Sequence, residues 1–427
     1  MYKLLSGLSL VIGTLFASLN IGNDSISDGV LFVSIFISAV FLILSPLEEY
    51  RSSLSNMIVI ALFIRFLFML WGVYGKDIYR FPGMGSDGDG FYAWAVQISK
   101  DISLLKGRVY GDTYTRLLAL LFWATRPSYL LGAYLNYVFS VISISLLYKT
   151  ICRIDFLDDK TIRFATLCNA FLPNYITTAS SLRRESMIML FVVASVYYLV
   201  KWTEKCQMSA ALKALLFVLA GSALHAGVIG LSVGYVILFI FYDPRLKKWR
   251  FTTRSIVLGT IIAIGAALVL IRYRSVFLRK ILVDSADDLY QHADRAKGGA
   301  AYLTGMHITS MRSLILYTPL KLFYFISSPV PWNWRGGSDL FAFFMDAMIY
   351  VMLAVGGAKS LFLAKKDPPT FSVGLSCLSC LIIYAIGTQN SGTAMRHRLK
   401  MLGVMIVVMC MVRAYKNKQK HDFILDT

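Results

Sequence analysis

Charge is what this sequence has least of. Asp, Glu, Lys and Arg make up 16% of the 427 residues, against about a quarter in soluble domains, while hydrophobic residues reach 57%. A soluble core has no room for that much apolar side chain, which excludes an ordinary soluble domain. Acid is the scarcer sign: 24 acidic against 43 basic residues leave a formal charge of +19. In a soluble protein that excess would point to nucleic acid. Here the Lys and Arg residues fall in short stretches between apolar blocks, and no extended basic face survives once the blocks are removed. Six cysteines are present, and most fall in or beside apolar runs, where they read as small hydrophobes. Cys377 and Cys380 form a C-x-x-C with no second pair or histidine nearby to complete a zinc or redox site. No Walker loop or H-E-x-x-H occurs, so nucleotide-driven transport has no support.

What is there is a series of apolar blocks of about 17–22 residues, the length a helix needs to cross ~30 Å of hydrocarbon. Helices satisfy their own backbone, so the expected fold is all-α, a polytopic transmembrane bundle forming one integral membrane domain over residues 1–427. Twelve spans are expected, near 4–20, 29–46, 55–75, 128–149, 162–180, 185–201, 210–224, 228–242, 255–271, 338–358, 371–387 and 399–414. The first reads as a retained span rather than a cleaved signal, because no convincing small-residue cleavage site precedes a soluble domain. Basic loops around Arg51, Lys149 to Arg163, Lys201 to Lys205 and Arg245 to Arg254 belong on the cytoplasmic side. The outer face then receives residues 76–127, 272–311 and 388–398.

One segment breaks the rule. Counting residues 311–330 as a further span would put the basic tail Arg413 to Lys420 outside, so this stretch, with Pro319, Lys321 and Pro329, is expected to be re-entrant or tilted and to line a cavity. Residues 114–127 are too short and interrupted to span and suit an interfacial helix.

Four constellations lie on the expected outer face. Gly85-Ser86-Asp87-Gly88-Asp89-Gly90-Phe91-Tyr92 sets two carboxylates a glycine apart. Such a pair can share a divalent cation or supply a general base; its plain alternative is a polar turn capping the next helix. Arg183 and Arg184, followed by Glu185, run against the charge rule, so an anion is expected to hold them, and a local ion pair is the alternative. Arg396, His397 and Arg398 gather ahead of the last span, where they suit a diphosphate leaving group or ordinary lipid phosphates. Trp332, Trp334 and Arg335 follow Pro329 and Pro331, as sugar-stacking faces or as interfacial anchors. His225, between two apolar runs, either faces a cavity or packs as a satisfied side chain. The second outer loop carries Arg272, Arg274, Arg279 and Lys280, then Asp284, Asp287, Asp288, His292 and Asp294, and reads as a solvated helix.

Together the Asp-Gly-Asp-Gly-Phe-Tyr loop, the Phe171-Leu172-Pro173-Asn174 to Arg184-Glu185 stretch, Pro329-Val330-Pro331-Trp332 and Gly392-Thr393 to Arg398 resemble multi-span proteins of bacterial surface-polysaccharide clusters. The likeness is to O-antigen or capsule repeat-unit polymerases of the Wzy type, related in style to GT-C membrane glycosyltransferases. It covers scattered motifs rather than a continuous match. It implies an enzyme of the bacterial inner membrane that joins glycans carried on undecaprenyl diphosphate at the periplasmic face, among membrane lipids, with a chain-length regulator as a possible partner and no nucleic acid. Under that resemblance Arg184, Arg396 and Arg398 would bind diphosphate, with Arg183 also among the substrate-binding residues. Asp87 or Asp89 would be the acceptor base, with His397 as the alternative base, while Tyr92, Trp332, Trp334 and Arg335 would position sugar or polyprenyl chain. No cofactor is expected apart from a divalent cation at Asp87 and Asp89. Two rivals stand beside it: a transferase moving one sugar from a polyprenyl phosphate, and a flippase without chemistry, for which the paired repeats typical of such folds are missing.

Overall fold

The computed structural model describes residues 1–427 except 82, 83, 85, 86, 108, 273–298, 307, 309 and 427. The protein is 79% helical. A ribbon of two residues a side, Tyr242–Asp243 against Lys248–Trp249, is the only named sheet among the described residues. Among the described residues seven helices have the length and apolarity to cross a membrane: Tyr2–Leu19, Asp24–Glu49, Ser52–Tyr74, Tyr129–Ile151, Glu185–Lys205, Gly337–Phe362 and Pro368–Ile386. The protein is thus all-α and membrane-embedded. Shorter apolar helices form at Met208–Leu224 and Ala226–Phe241, and Thr253–Gly265 is an apolar stretch of the helix Thr253–Arg272.

Two of the expected segments differ. The run 162–180 is no single helix, because Pro173 ends Asp159–Phe171 and opens a seven-residue helix, Pro173–Ala179. Proline has no N–H to continue the ladder and is at home in a first turn. Within 311–330 the chain does not double back. Met311–Ser327 is one continuous helix, about 26 Å long. Ser310 and Ser313 cap its start reciprocally, and Pro319 sits inside it, with Thr318 Oγ1 donating to Leu314 O at 2.7 Å beside the break.

The helices gather into two compact units: residues 1–145 with 163–190, and residues 146–162 with 191–427. In the first, Tyr2–Leu19 and Asp24–Leu44 pair through a stripe of small residues. Ser6 and Ser38 exchange a hydroxyl bond at 2.8 Å, Tyr134 OH donates to Ser38 at 2.6 Å, and a Cβ on Gly13 would strike Ser34. Small side chains let backbones approach where lipid offers no hydrophobic drive. The opposite face, with Leu4, Leu8, Val11, Leu15 and Leu19, is exposed.

In the second unit Pro368–Ile386 is central, packed on Leu231–Phe241 and Met311–Ser327. Gly230 and Gly234 make the close approach possible; a Cβ on Gly234 would fall 1.9 Å from Ser372 O. Cys377 and Cys380 are buried there as thiols, and Cys380 donates to Val228 O at 3.6 Å. Gly230 and Gly234 bracket Ser232 at nucleophile-elbow spacing, but on a helical stretch where Ser232 Oγ donates back to Ile229 O at 2.7 Å.

Candidate functional site

In the first unit Asp87 and Asp89 fall in the first turn of the helix Asp87–Lys100, where carboxylates meet the positive end of the helix dipole. Asp89 is held by two cations: Lys76 Nζ lies 2.7 Å from one carboxylate oxygen and Arg80 Nη2 lies 2.8 Å from the other. Lys76 also sits 4.1 Å over the Tyr129 ring. Partial burial works to raise the Asp89 carboxyl, but the hydrogen bonds and charges of Lys76 and Arg80 outweigh it and leave it below the usual carboxylate range. A carboxylate so held is a weak base and suits anchoring better than proton abstraction. Asp87 accepts from Tyr110 OH at 3.3 Å. Among the described residues no three His, Cys, Asp or Glu side chains gather at metal-binding range.

Tyr92 is packed edge-on against Phe122 and Tyr129, at 5.7 and 5.4 Å. Burial raises its phenol, with a smaller push from Asp28. Arg183 and Glu185 are buried, whereas Arg184 is partly exposed. Asn136 fixes the turn beneath them, its Nδ2 donating to Ser181 O and Arg183 O, each at 2.7 Å. Of the two expected anion-binding arginines, Arg184 is the one with exposed surface.

In the second unit Arg396, His397 and Arg398 separate by environment. Arg398 is fully buried. Its Nη1 donates to Ile326 O at 2.9 Å and Ser328 O at 2.6 Å, its Nε and Nη2 bind the Asp346 carboxylate, and its guanidinium lies 4.9 Å from the centre of the Tyr350 ring. That guanidinium is committed to protein partners, which corrects its expected role as a diphosphate binder. Arg396 is partly exposed. His397 Nδ1 lies 3.2 Å from Thr388 Oγ1 and its ring meets His225 at 4.9 Å and Tyr384 at 5.3 Å. His225 and Tyr384 close the triangle at 5.0 Å. Gly227 permits it, since a Cβ there would fall 2.6 Å from the Tyr384 ring.

Beside this cluster lies a polar cavity of about 310 Å³, lined by Tyr302, Tyr324, Asn333, Arg335 and Ser391. Tyr302 and Tyr324 stack at 5.2 Å. The cavity is tied to the loop that leads into Ser391–Leu399: Tyr302 N donates to Gln389 O at 3.0 Å, Tyr302 OH to Thr388 O at 3.1 Å, and Ser391 N to Ala300 O at 2.9 Å. Burial holds the Tyr302 phenol above its ordinary range, and the nearby Arg398 only partly offsets it. Arg335 is half-exposed and forms a two-pronged pair with Asp339, both contacts at 2.7 Å. Trp332 is 64% exposed and donates to Tyr324 OH at 3.0 Å. Trp334 turns inward, its Nε1 on Pro329 O at 3.1 Å and its ring on Phe343 at 5.5 Å. The arrangement offers flat aromatic faces, a fork of donors and a titratable pair, a combination suited to a sugar beside an anionic group.

Sequence reasoning missed Tyr302, Tyr324, Tyr384 and Asp346. Asp346 carried a signal: a lone carboxylate in an apolar run demands a partner. Arg274, Arg279, Lys280, Asp284, Asp287, Asp288, His292 and Asp294 lie outside the described residues, as do Gly85 and Ser86. No protein-family model matches this chain, and no curated protein sequence matches it. Fold and site together define an all-helical membrane protein with a polar, aromatic cavity in its second unit.

Proposed function

We propose that the protein is a membrane glycosyltransferase that polymerises lipid-linked oligosaccharide units on the outer face of a bacterial inner membrane, a GT-C-like enzyme of the Wzy type with about twelve crossings. Met311–Ser327 is read as a tilted helix walling the cavity. The observation that carries the proposal is the union, in one unit, of the Tyr302–Tyr324–Arg335 cavity with the Thr388–Ser391 loop and the His225–Tyr384–His397 cluster. In the transfer, an acceptor sugar hydroxyl attacks the anomeric carbon of the lipid-linked donor. The C–O bond to the diphosphate breaks, the diphosphate leaves with the electron pair, and the hydroxyl proton passes to His397. Arg396 stabilises the charge on the leaving diphosphate. Trp332 and Tyr324 offer stacking faces to sugar rings, while Arg398 holds the helix end that carries them. A divalent cation is not assigned a role, and a chain-length regulator remains the proposed protein partner.

The Asp87-Gly88-Asp89 turn favours the rival of a transferase moving a single sugar, although Lys76 and Arg80 already occupy Asp89. Deleting the gene separates the two. A polymerase leaves acceptor bearing one repeat unit; absence of any repeat unit would transfer the assignment to the single-sugar enzyme. Retention of full-length polymer would reject both.

A further inference from the structure

A cavity of about 760 Å³ lies elsewhere in the second unit, at the end of the Leu231–Phe241 helix and the start of Thr253–Arg272. Its floor is apolar, formed by Ile240 and Phe241, and its rim carries Arg245, Arg250 and Arg254 with the Thr252 and Ser255 hydroxyls. Asp243 is its one carboxylate, already bound by Arg250 at 3.0 Å and by the Arg245 and Leu246 amides. Arg245 and Arg254 have no carboxylate partner among the described residues. The rim therefore has an excess of positive charge, on planar forks that match phosphate oxygens. The ribbon Tyr242–Asp243 with Lys248–Trp249 fixes the turn that presents Arg245.

We propose that this cavity binds the phosphate headgroup of an anionic membrane lipid, with its glycerol end against the apolar floor. Three observations choose a lipid over a soluble phosphate compound. Apolar helices end there, which sets the cavity at headgroup depth. Phe251, Ile256 and Val257 beside it are half to two-thirds exposed, as side chains facing acyl chains are. The charge rule also assigns this basic turn to the inner leaflet, where anionic lipids draw basic side chains. The site is independent of the transfer reaction.

The test uses the detergent-purified full chain, titrated in mixed micelles with phosphatidylglycerol or phosphatidylcholine and followed by native mass spectrometry and thermal midpoint. Phosphatidylglycerol is expected to bind and raise the midpoint, and phosphatidylcholine to do neither. Arg245→Gln or Arg254→Gln should weaken binding about 5-fold each and the pair about 30-fold, while Lys420→Gln, on the exposed C-terminal helix, should bind as wild type. Equal binding of the two lipids, or wild-type affinity in the double variant, overturns the proposal. So does inorganic phosphate that gives the same stabilisation and displaces the lipid, since the cavity would then belong to a soluble anion. Should the double variant misfold, a salt series on the wild type decides: affinity must fall as salt rises, and a flat response rejects the site.

Discussion

Each unit buries an arginine beneath a broken helix end. In the first, Arg65 donates to Asn169 O at 3.0 Å and Ala170 O at 2.9 Å, just before Pro173, and lies 4.2 Å over the Tyr175 ring. In the second, Arg398 grips Ile326 O and Ser328 O, just before Pro329, near the Tyr350 ring. The problem is the same in both. The last carbonyls of a helix have no intrahelical donor, a following proline supplies none, and the bilayer provides no water. A guanidinium answers the carbonyls and the negative end of the dipole at once. The two differ in counter-charge. Arg398 has Asp346, whereas Arg65 has only carbonyls and an aromatic face among the described residues. The grip in the second unit therefore includes a buried ion pair, and removing Arg398 takes a counter-charge from Asp346 as well as donors from the carbonyls.

That difference orders the expected effects. Arg398→Ala takes a cationic partner from the buried Asp346 carboxylate and the donors from the Ile326 and Ser328 carbonyls, and should cost about 3–5 kcal/mol, read as loss of folded protein from the membrane or a lowered melting midpoint. Combining Arg398→Met with Asp346→Leu should restore most of the loss; a double variant as unstable as the single one would show that the carbonyl grip, not the ion pair, dominates. Arg65→Ala strands carbonyls but no opposite charge, so about 2–3 kcal/mol is expected; a cost equal to that of Arg398→Ala would erase the distinction between the units. Asp89→Asn is the smallest change, under about 1 kcal/mol, because the clamp with Lys76 and Arg80 is partly in water. The Asp89 carboxyl is depressed in the folded state, so its contribution is present above the unfolded pKa of about 3.9 and lost as pH falls through the folded value. Stability should therefore not respond to this group between about pH 5 and 8; a Asp89-dependent loss in that window would contradict the clamp.

The helices were legible because hydropathy and length mark apolar segments almost without regard to packing. Prolines were harder. Hydropathy is blind to Pro173, so 162–180 read as one span, while the prolines of 311–330 suggested a re-entrant or tilted segment where one continuous helix, Met311–Ser327, forms. Of the candidate residues, Arg335 lines the cavity, Trp332 donates to its Tyr324, and His397 meets Thr388, whose carbonyl binds Tyr302. The pairing of His225 with His397 was not legible, since residues so distant in sequence meet only through the packing of Ala226–Phe241 on Pro368–Ile386. Arg398 was misassigned because a cationic run does not say which member turns inward. Only the carbonyls of Met311–Ser327 and the lone Asp346 make that choice, and Arg65 bore the same signal as a single charge in an apolar run.

Under the proposed function two arginines only two residues apart do different work, Arg396 on substrate and Arg398 on the fold. The direct test measures membrane protein level, melting midpoint and glycan chain length for Arg396→Ala and Arg398→Ala side by side. Arg396→Ala is expected at wild-type level and midpoint with chain growth abolished, and Arg398→Ala at reduced level and midpoint. Full-length glycan from a stable Arg396→Ala protein, or a wild-type midpoint for Arg398→Ala, would contradict it.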